Sequence, residues 1–273
     1  MDDRPIGMFD SGFGGLTVAR ALIDLLPDED LVYFGDTGRY PYGPRPLEEV
    51  REFARQIARL LVDRHDVKMV VVACNNASAA ALDALRFEHE IPIVGVIDPG
   101  VRAVLAATRN RRVGVIATVG TVASGAYQRA VAATRAPVQL TCTACPGFVE
   151  FVERGETDSE NVHVLAERVL APARAAGVDS LLLGCTHYPF LAHTIGDVMG
   201  RDVVLVDSAD ETAFEVRAIL AETGLVRRSG RGTGKGRHTF VSSGDVEWFR
   251  QLGARLLGPE LDDVDEVESW QWD

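Results

Sequence analysis

Cys74 and Cys185 lie 111 positions apart in matching surroundings. Cys74 ends the apolar run MVVVA and precedes Asn75 and Asn76; Cys185 ends SLLLG and precedes Thr186 and His187. A cysteine that only packs keeps apolar neighbours, because a free thiol behaves as a small hydrophobe. Here each thiol stands where an apolar strand gives way to hydrogen-bonding residues. A thiol beside a helix N-terminus or a cation has its pKa lowered from about 8.5, and so becomes a usable base near neutral pH. Two such thiols facing one substrate meet the geometric demand of inverting an acidic C–H centre. One removes the proton from one face and the other returns a proton to the opposite face. The remaining cysteines, Cys142 and Cys145, have CxxC spacing. No second metal-binding pair accompanies them, so they read as packing cysteines and no metal is expected.

The thiols need elements to hold them. Short runs rich in Val, Ile and Leu at 5–10, 31–35, 68–73, 92–96, 112–117, 137–141, 180–184 and 203–207 alternate with amphipathic stretches at 15–26, 46–64, 77–88, 99–109, 121–134, 160–176 and 211–223. That alternation predicts an α/β fold of mainly parallel sheets flanked by helices, with ligands outside the carboxyl ends of the strands. The segment 6–22 is weakly echoed by 113–130, and 68–76 by 179–187. Asp10 and Thr118 are 108 positions apart, nearly the offset of the two cysteines. Two echoes in the same order predict two pseudo-symmetric lobes with the active site in the cleft between them. The first lobe is expected to span 1–97 plus 211–260 and the second 98–210, with 261–273 an acidic, flexible tail.

The 273 residues carry a net charge of −12, which argues against direct binding of nucleic acid. No stretch reaches the ~20 apolar residues that span a bilayer, and the N-terminus lacks a secretory pattern, so a cytoplasmic protein without a membrane partner is expected. Only two lysines are present, Lys68 and Lys235, neither in a setting for a pyridoxal phosphate Schiff base. The loop GRGTGKGRH lacks P-loop spacing, and the glycines of DSGFGG fall short of a dinucleotide fingerprint. Those early glycines would instead let backbone N–H groups at a helix start approach a ligand carboxylate. The basic glycine-rich stretch 226–238 reads as a flexible surface loop. No cofactor is expected.

Taken in order, FDSGFGG, GDTGRYPYG, ACNNASA, ATVGTVASGAY, ACPGFVEFVERG and GCTHYP resemble the glutamate racemases, which make D-glutamate for bacterial peptidoglycan. The resemblance covers roughly residues 5–223 and continues more faintly through HTFVSSGDVEWF. It implies cofactor-independent interconversion of L- and D-glutamate, with the C-terminal segment returning to the first lobe. Cys74 would deprotonate D-glutamate, assisted by Asp10; Cys185 would deprotonate L-glutamate, assisted by His187, with Glu153 near that half-site. Ser11, Tyr42, Gly43, Asn75, Asn76, Thr118, Thr121 and Thr186 would hold the substrate's carboxylates and ammonium. Asn76 departs from the family's usual threonine, and asparagine still offers hydrogen bonds there. The resemblance also implies a homodimer and, in some members, an interaction with DNA gyrase.

Plainer roles stand beside these. Asp10 could only cap the following helix, His187 could be a structural hydrogen-bonding residue, and Glu153 could lie on a solvated helix face. Tyr42 could be a packing aromatic, while Asp36 could order the loop that carries Tyr42 without touching substrate. Another two-cysteine racemase, for aspartate or hydantoins, is a further reading. A small-molecule binding protein with two lobes is another, and it needs no pair of thiols.

Overall fold

The computed structural model describes residues 1–227, 235–257 and 267–272. The elements run β1 (Ile6–Asp10), α1 (Leu16–Leu25), β2 (Leu31–Gly35), α2 (Leu47–His65), β3 (Met69–Val72), α3 (Asn75–Glu88), β4 (Ile93–Gly95) and α4 (Ile97–Ala107). The chain continues through β5 (Arg112–Ala117), α5 (Val119–Ala123), α6 (Ala126–Thr134), β6 (Gln139–Ala144), α7 (Phe148–Glu153), α8 (Glu160–Ala175), β7 (Ser180–Gly184), a 3-10 turn (Tyr188–Leu191), α9 (Ala192–Met199), β8 (Val204–Val206) and α10 (Ala209–Thr223). It closes with β9 (His238–Ser242), α11 (Val246–Leu257) and β10 (Val267–Ser269).

Two sheets result, ordered β10-β9-β2-β1-β3-β4 and β6-β5-β7-β8. Every strand pair is parallel. β1, β2, β3, β4 and β7 are buried along their whole length, as expected of strands covered by helices on both faces. The run β2-β1-β3-β4 in one sheet matches β6-β5-β7-β8 in the other. The internal echoes of the sequence fall on equivalent strands, β1 with β5 and β3 with β7. The fold is therefore α/β with two similar sheets. Val70, Val72 and Phe9 pack under α2 and α3 on one face of the first sheet, and Val113 and Val115 pack with α4 and α6 on the second. A third apolar cluster runs unbroken from Leu16 and Leu22 of α1 through Val216 and Leu220 of α10 to Leu170 of α8 and Leu181 of β7. The two sheets thus share a core on that side.

Local chemistry explains the boundaries. Glu48 and Glu49 open α2 and Arg64 and His65 close it, matching the helix dipole at both ends. Ser159 caps α8 by accepting from the Val162 N–H. The helix expected over 121–134 is two helices, because Gly125 takes a left-handed φ of 69° between them. β6 starts two residues later than expected, in register with β5 from Arg112↔Gln139.

The expected flexible tail needs correction at its end. Val267–Ser269 forms β10, paired parallel to β9, and Trp270 and Trp272 pack against the cluster containing Phe53. The acidic composition suggested solvation, but the two indoles bury apolar area on the sheet edge. Residues 261–266, and 228–234 of the basic stretch, lie outside the described residues. No described helix is long and apolar enough to cross a membrane.

Candidate active site

Each cysteine follows an inner strand of its sheet, at the carboxyl end. Cys74 follows β3 and caps α3, its Sγ accepting from the Ala77 N–H at 3.5 Å. Cys185 follows β7, and its Sγ lies 3.9 Å from Nδ1 of His187. Both thiols line one cavity of about 140 Å³. Ser11, Tyr42, Gly43, Asn75, Asn76, Thr118, Glu153, Thr186 and His187 line it as well. The fold thus gathers there most residues singled out in the sequence. Asp10 and Thr121 are fully buried just behind the wall.

Asp10 ends β1. Its Oδ2 accepts from the Gly12 N–H at 3.0 Å and its Oδ1 from the Thr186 hydroxyl at 3.4 Å. One carboxylate thereby ties the first sheet to the second. Thr118 follows β5 in the equivalent place and caps α5 through the Thr121 N–H. On the same wall the Thr118 and Thr121 hydroxyls donate to Oδ1 of Asn76 at 3.0 and 2.6 Å. The amide orientation this imposes leaves Asn76 Nδ2 buried and unpartnered. Asn75 Nδ2 donates across the cleft to the Tyr127 hydroxyl at 2.8 Å.

The glycines of DSGFGG act otherwise than expected. Of that segment only Ser11 lines the cavity. A Cβ on Gly14 would lie 2.5 Å from Thr186 Oγ1 and 2.6 Å from His187 Nδ1. Its missing side chain lets the second lobe's Thr186–His187 segment close onto the first, so the glycine serves lobe packing instead of ligand approach.

The electrostatics also correct the sequence reading. The Cys74 thiol is pushed up to about 12, chiefly by burial and further by Asp10. Cys185 is raised too, by burial first, although the His187 N–H opposes the shift. The expected lowering fails because burial outweighs the N–H groups that point at each sulfur. His187 is pushed down to about 4 by burial and is neutral. Burial raises Glu153 to about 7. Tyr40 stacks on His187 at 5.9 Å between ring centroids. Glu153 Oε1 and His187 Nε2 are buried without a hydrogen-bond partner, and the Tyr40 hydroxyl has only the Glu153 carboxylate to face. Buried orphans are rare, and two side by side on one cavity point to a polar ligand.

Sequence reasoning missed Tyr40 and the cavity-facing position of Cys145, and Tyr127 as the acceptor behind Asn75. Tyr40 and Tyr127 stand inside GDTGRYPYG and ATVGTVASGAY, but only the fold shows that Tyr40 lines the cavity beside Tyr42 and that the Tyr127 hydroxyl accepts from Asn75. Among the described residues no cluster of three or more His, Cys, Asp or Glu could hold a metal ion.

Residues 16–216 match the family model described as Asp/Glu/Hydantoin racemase. The chain is 53% identical over 260 residues to a glutamate racemase of Mycobacterium leprae, covering 95% of this chain and 94% of that one. Glutamate racemase isoform RacE1 from Bacillus anthracis superposes with a TM-score of 0.90 at 37% identity, over 100% of this chain and 98% of the other. Glutamate racemase from Francisella tularensis, solved in complex with D-glutamate, gives a TM-score of 0.88 at 32% identity over the same shares.

Proposed function

The chain belongs to the Asp/Glu/hydantoin racemase family, on its glutamate racemase branch, and on that premise we propose that it inverts glutamate at Cα by proton transfer between two thiols. The observation that carries this reading is the pair of buried cysteines at equivalent strand ends of two similar sheets, both lining one small cavity.

In this mechanism Cys74 as thiolate takes the Cα proton of D-glutamate, while the Cys185 thiol delivers a proton to the opposite face. For L-glutamate the roles exchange. The C–H bond breaks toward one sulfur as the S–H bond of the other breaks toward carbon, so each turnover swaps the protonation of the two cysteines. The raised thiol pKa values explain the need for an amino-acid substrate. Forming the Cys74 thiolate among the protein's own groups costs roughly 4 kcal/mol relative to an exposed thiol. The substrate ammonium would set a cation beside the sulfurs, and the N-terminus of α3 adds to it. Asp10 assists at Cys74. Neutral His187 assists at Cys185, with Glu153 Oε1 3.9 Å from its Nε2. Asn75, Asn76, Ser11, Thr118 and Thr186 present hydroxyl, amide and backbone groups to the carboxylates and ammonium, and the Tyr42–Gly43 backbone closes the wall. Thr121 acts by orienting Asn76. The product is D-glutamate for peptidoglycan synthesis in the cytoplasm.

Racemisation of L-glutamate in D₂O without added cofactor tests the proposal. Loss of optical activity with deuterium entering Cα, abolished in both Cys74→Ala and Cys185→Ala, is the expected result. A folded, reduced protein that exchanges nothing from either enantiomer overturns it, and turnover of aspartate alone overturns the substrate.

A further inference from the structure

Asp36, directly after β2, is fully buried, and its carboxylate collects four donors. Two come from the loop that walls the cavity: Arg39 Nε at 2.7 Å and the Tyr42 hydroxyl, both on Oδ2. Two come from the far end of the chain: the Ser243 hydroxyl at 2.6 Å and Trp272 Nε1 at 2.9 Å, both on Oδ1. Trp272 does more than donate. Its ring lies 3.7 Å from the Arg39 guanidinium carbon, which is covered on Phe53 at 4.1 Å, and it meets Phe34 edge-on at 5.6 Å. β10 fixes the position of Trp272. The Trp270 N–H donates to the Ser242 carbonyl at 2.8 Å, and Val267–Ser269 pairs with β9.

The loop so held carries Tyr40, Pro41, Tyr42, Gly43 and Pro44, a whole wall of the cavity. Its far side meets the second lobe closely: a Cβ on Gly120 would lie 3.1 Å from the Gly43 carbonyl. Within the loop, backbone hydrogen bonds are few, Arg39 to Asp36 and Arg45 to Tyr42. Its start is also pinned by Thr37 to Ser242, Gly38 to Ser243 and Arg39 to Gln56, but at Asp36, where Arg39 and Tyr42 meet, one of the four donors arrives from the C-terminal Val267–Trp272 segment.

We propose that Val267–Trp272 is a strap, and that Trp272 is a positioning residue that holds the Tyr40–Pro44 wall in its substrate-binding shape by donating to Asp36 and covering Arg39. The role of the wall in glutamate binding rests on the proposed function; the mechanical coupling does not. Trp272 touches no substrate. Losing its donor leaves a buried carboxylate oxygen with one partner fewer, which loosens the loop before it destabilises the sheets.

The test compares the full-length parent with Trp272→Phe, which keeps the ring but loses the N–H, and with Trp270→Phe as control. Amide hydrogen exchange over residues 36–45 is expected to quicken at least tenfold in Trp272→Phe and to stay unchanged in β1, β5 and β7. KM for glutamate is expected to rise five- to twentyfold with kcat within threefold, whereas Trp270→Phe keeps both. A chain ending at residue 266 is expected to exaggerate the pattern; should it fail to fold, the single substitutions decide. Unchanged exchange over 36–45, or parental KM in a folded Trp272→Phe, overturns the strap. A parent inactive on glutamate whose loop still loosens in Trp272→Phe sinks the functional reading and leaves the strap standing.

Discussion

His187 and Glu153 face the same cavity with opposite titration problems. Burial lowers His187 from 6.5 to about 4, so between those values the unfolded chain binds a proton that the folded site refuses. Stability attributable to that neutral imidazole is present above about 6.5 and is lost as pH falls toward 4. Glu153 is raised from 4.5 to about 7. Across that window the unfolded chain ionises while the folded site stays protonated, so its contribution falls as pH rises. His187→Asn is accordingly expected to gain stability over the parent toward pH 4.5, and Glu153→Gln toward pH 8, each on the order of 1 to 2 kcal/mol. Urea midpoints at pH 4.5, 6 and 8 read the crossing, and parallel curves for all three proteins would remove the burial argument. The thiols belong to the same scale. Their place on one cavity was legible in the change from apolar strand to Asn75–Asn76 and Thr186–His187. The sign of their pKa shift was not, because it depends on how deeply the fold buries each sulfur, which only three dimensions show.

The β1–α1 turn shows how an element earns its sequence. Gly14 sits where a Cβ would collide with Thr186 Oγ1 and His187 Nδ1. Gly14→Ala must therefore displace the segment that carries Cys185. Expected are a loss of about 1–3 kcal/mol from overpacking and a fall of at least tenfold in kcat/KM. Gly196→Ala is the matched control. It lies inside α9 with nothing nearer than 3.8 Å and is expected to be neutral or slightly stabilising. If Gly14→Ala retains parental activity, the two turns are not held as closely as described. Most strands and long helices were readable because their apolar periods are long enough to stand alone. β9, β10 and α11 were not, since HTFVS is short and mixed and Val267–Ser269 lies in an acidic run. The indoles beside β10 become informative only when a sheet edge and Arg39 are there to receive them. The split between α5 and α6 hung on the φ of one glycine, which composition does not reveal.

At the scale of the whole molecule the backbone is nearly twofold and the chemistry is not. Where the first sheet ends in Asp10 the second has Thr118, and where Asn76 follows the first cysteine His187 follows the second. The repeated frame brings a thiol from each sheet to one cavity, and in the proposed mechanism unlike partners would let one thiol be ready while the other holds its proton. The repeat was visible in the offsets of 108 and 111 positions, but the links that set one half against the other were not. Beside the shared apolar core, polar links at the cavity join the halves: Thr186 to Asp10, Thr118 and Thr121 to Asn76, and Asn75 to Tyr127. Tyr127→Phe removes the last of them and leaves the buried Asn75 amide without its acceptor, at a cost of about 1–3 kcal/mol. Because glutamate would touch walls from both sheets, its binding free energy is spent partly on holding them together. At a concentration about 100 times its Kd a ligand adds about 2.7 kcal/mol to the folded state, enough to raise the melting temperature by several degrees. At that same concentration Tyr127→Phe is expected to show a distinctly smaller rise, because a looser cleft must first be ordered. A full-sized shift in Tyr127→Phe would mean that the shared apolar core alone sets the distance between the lobes, and that the polar links only decorate it.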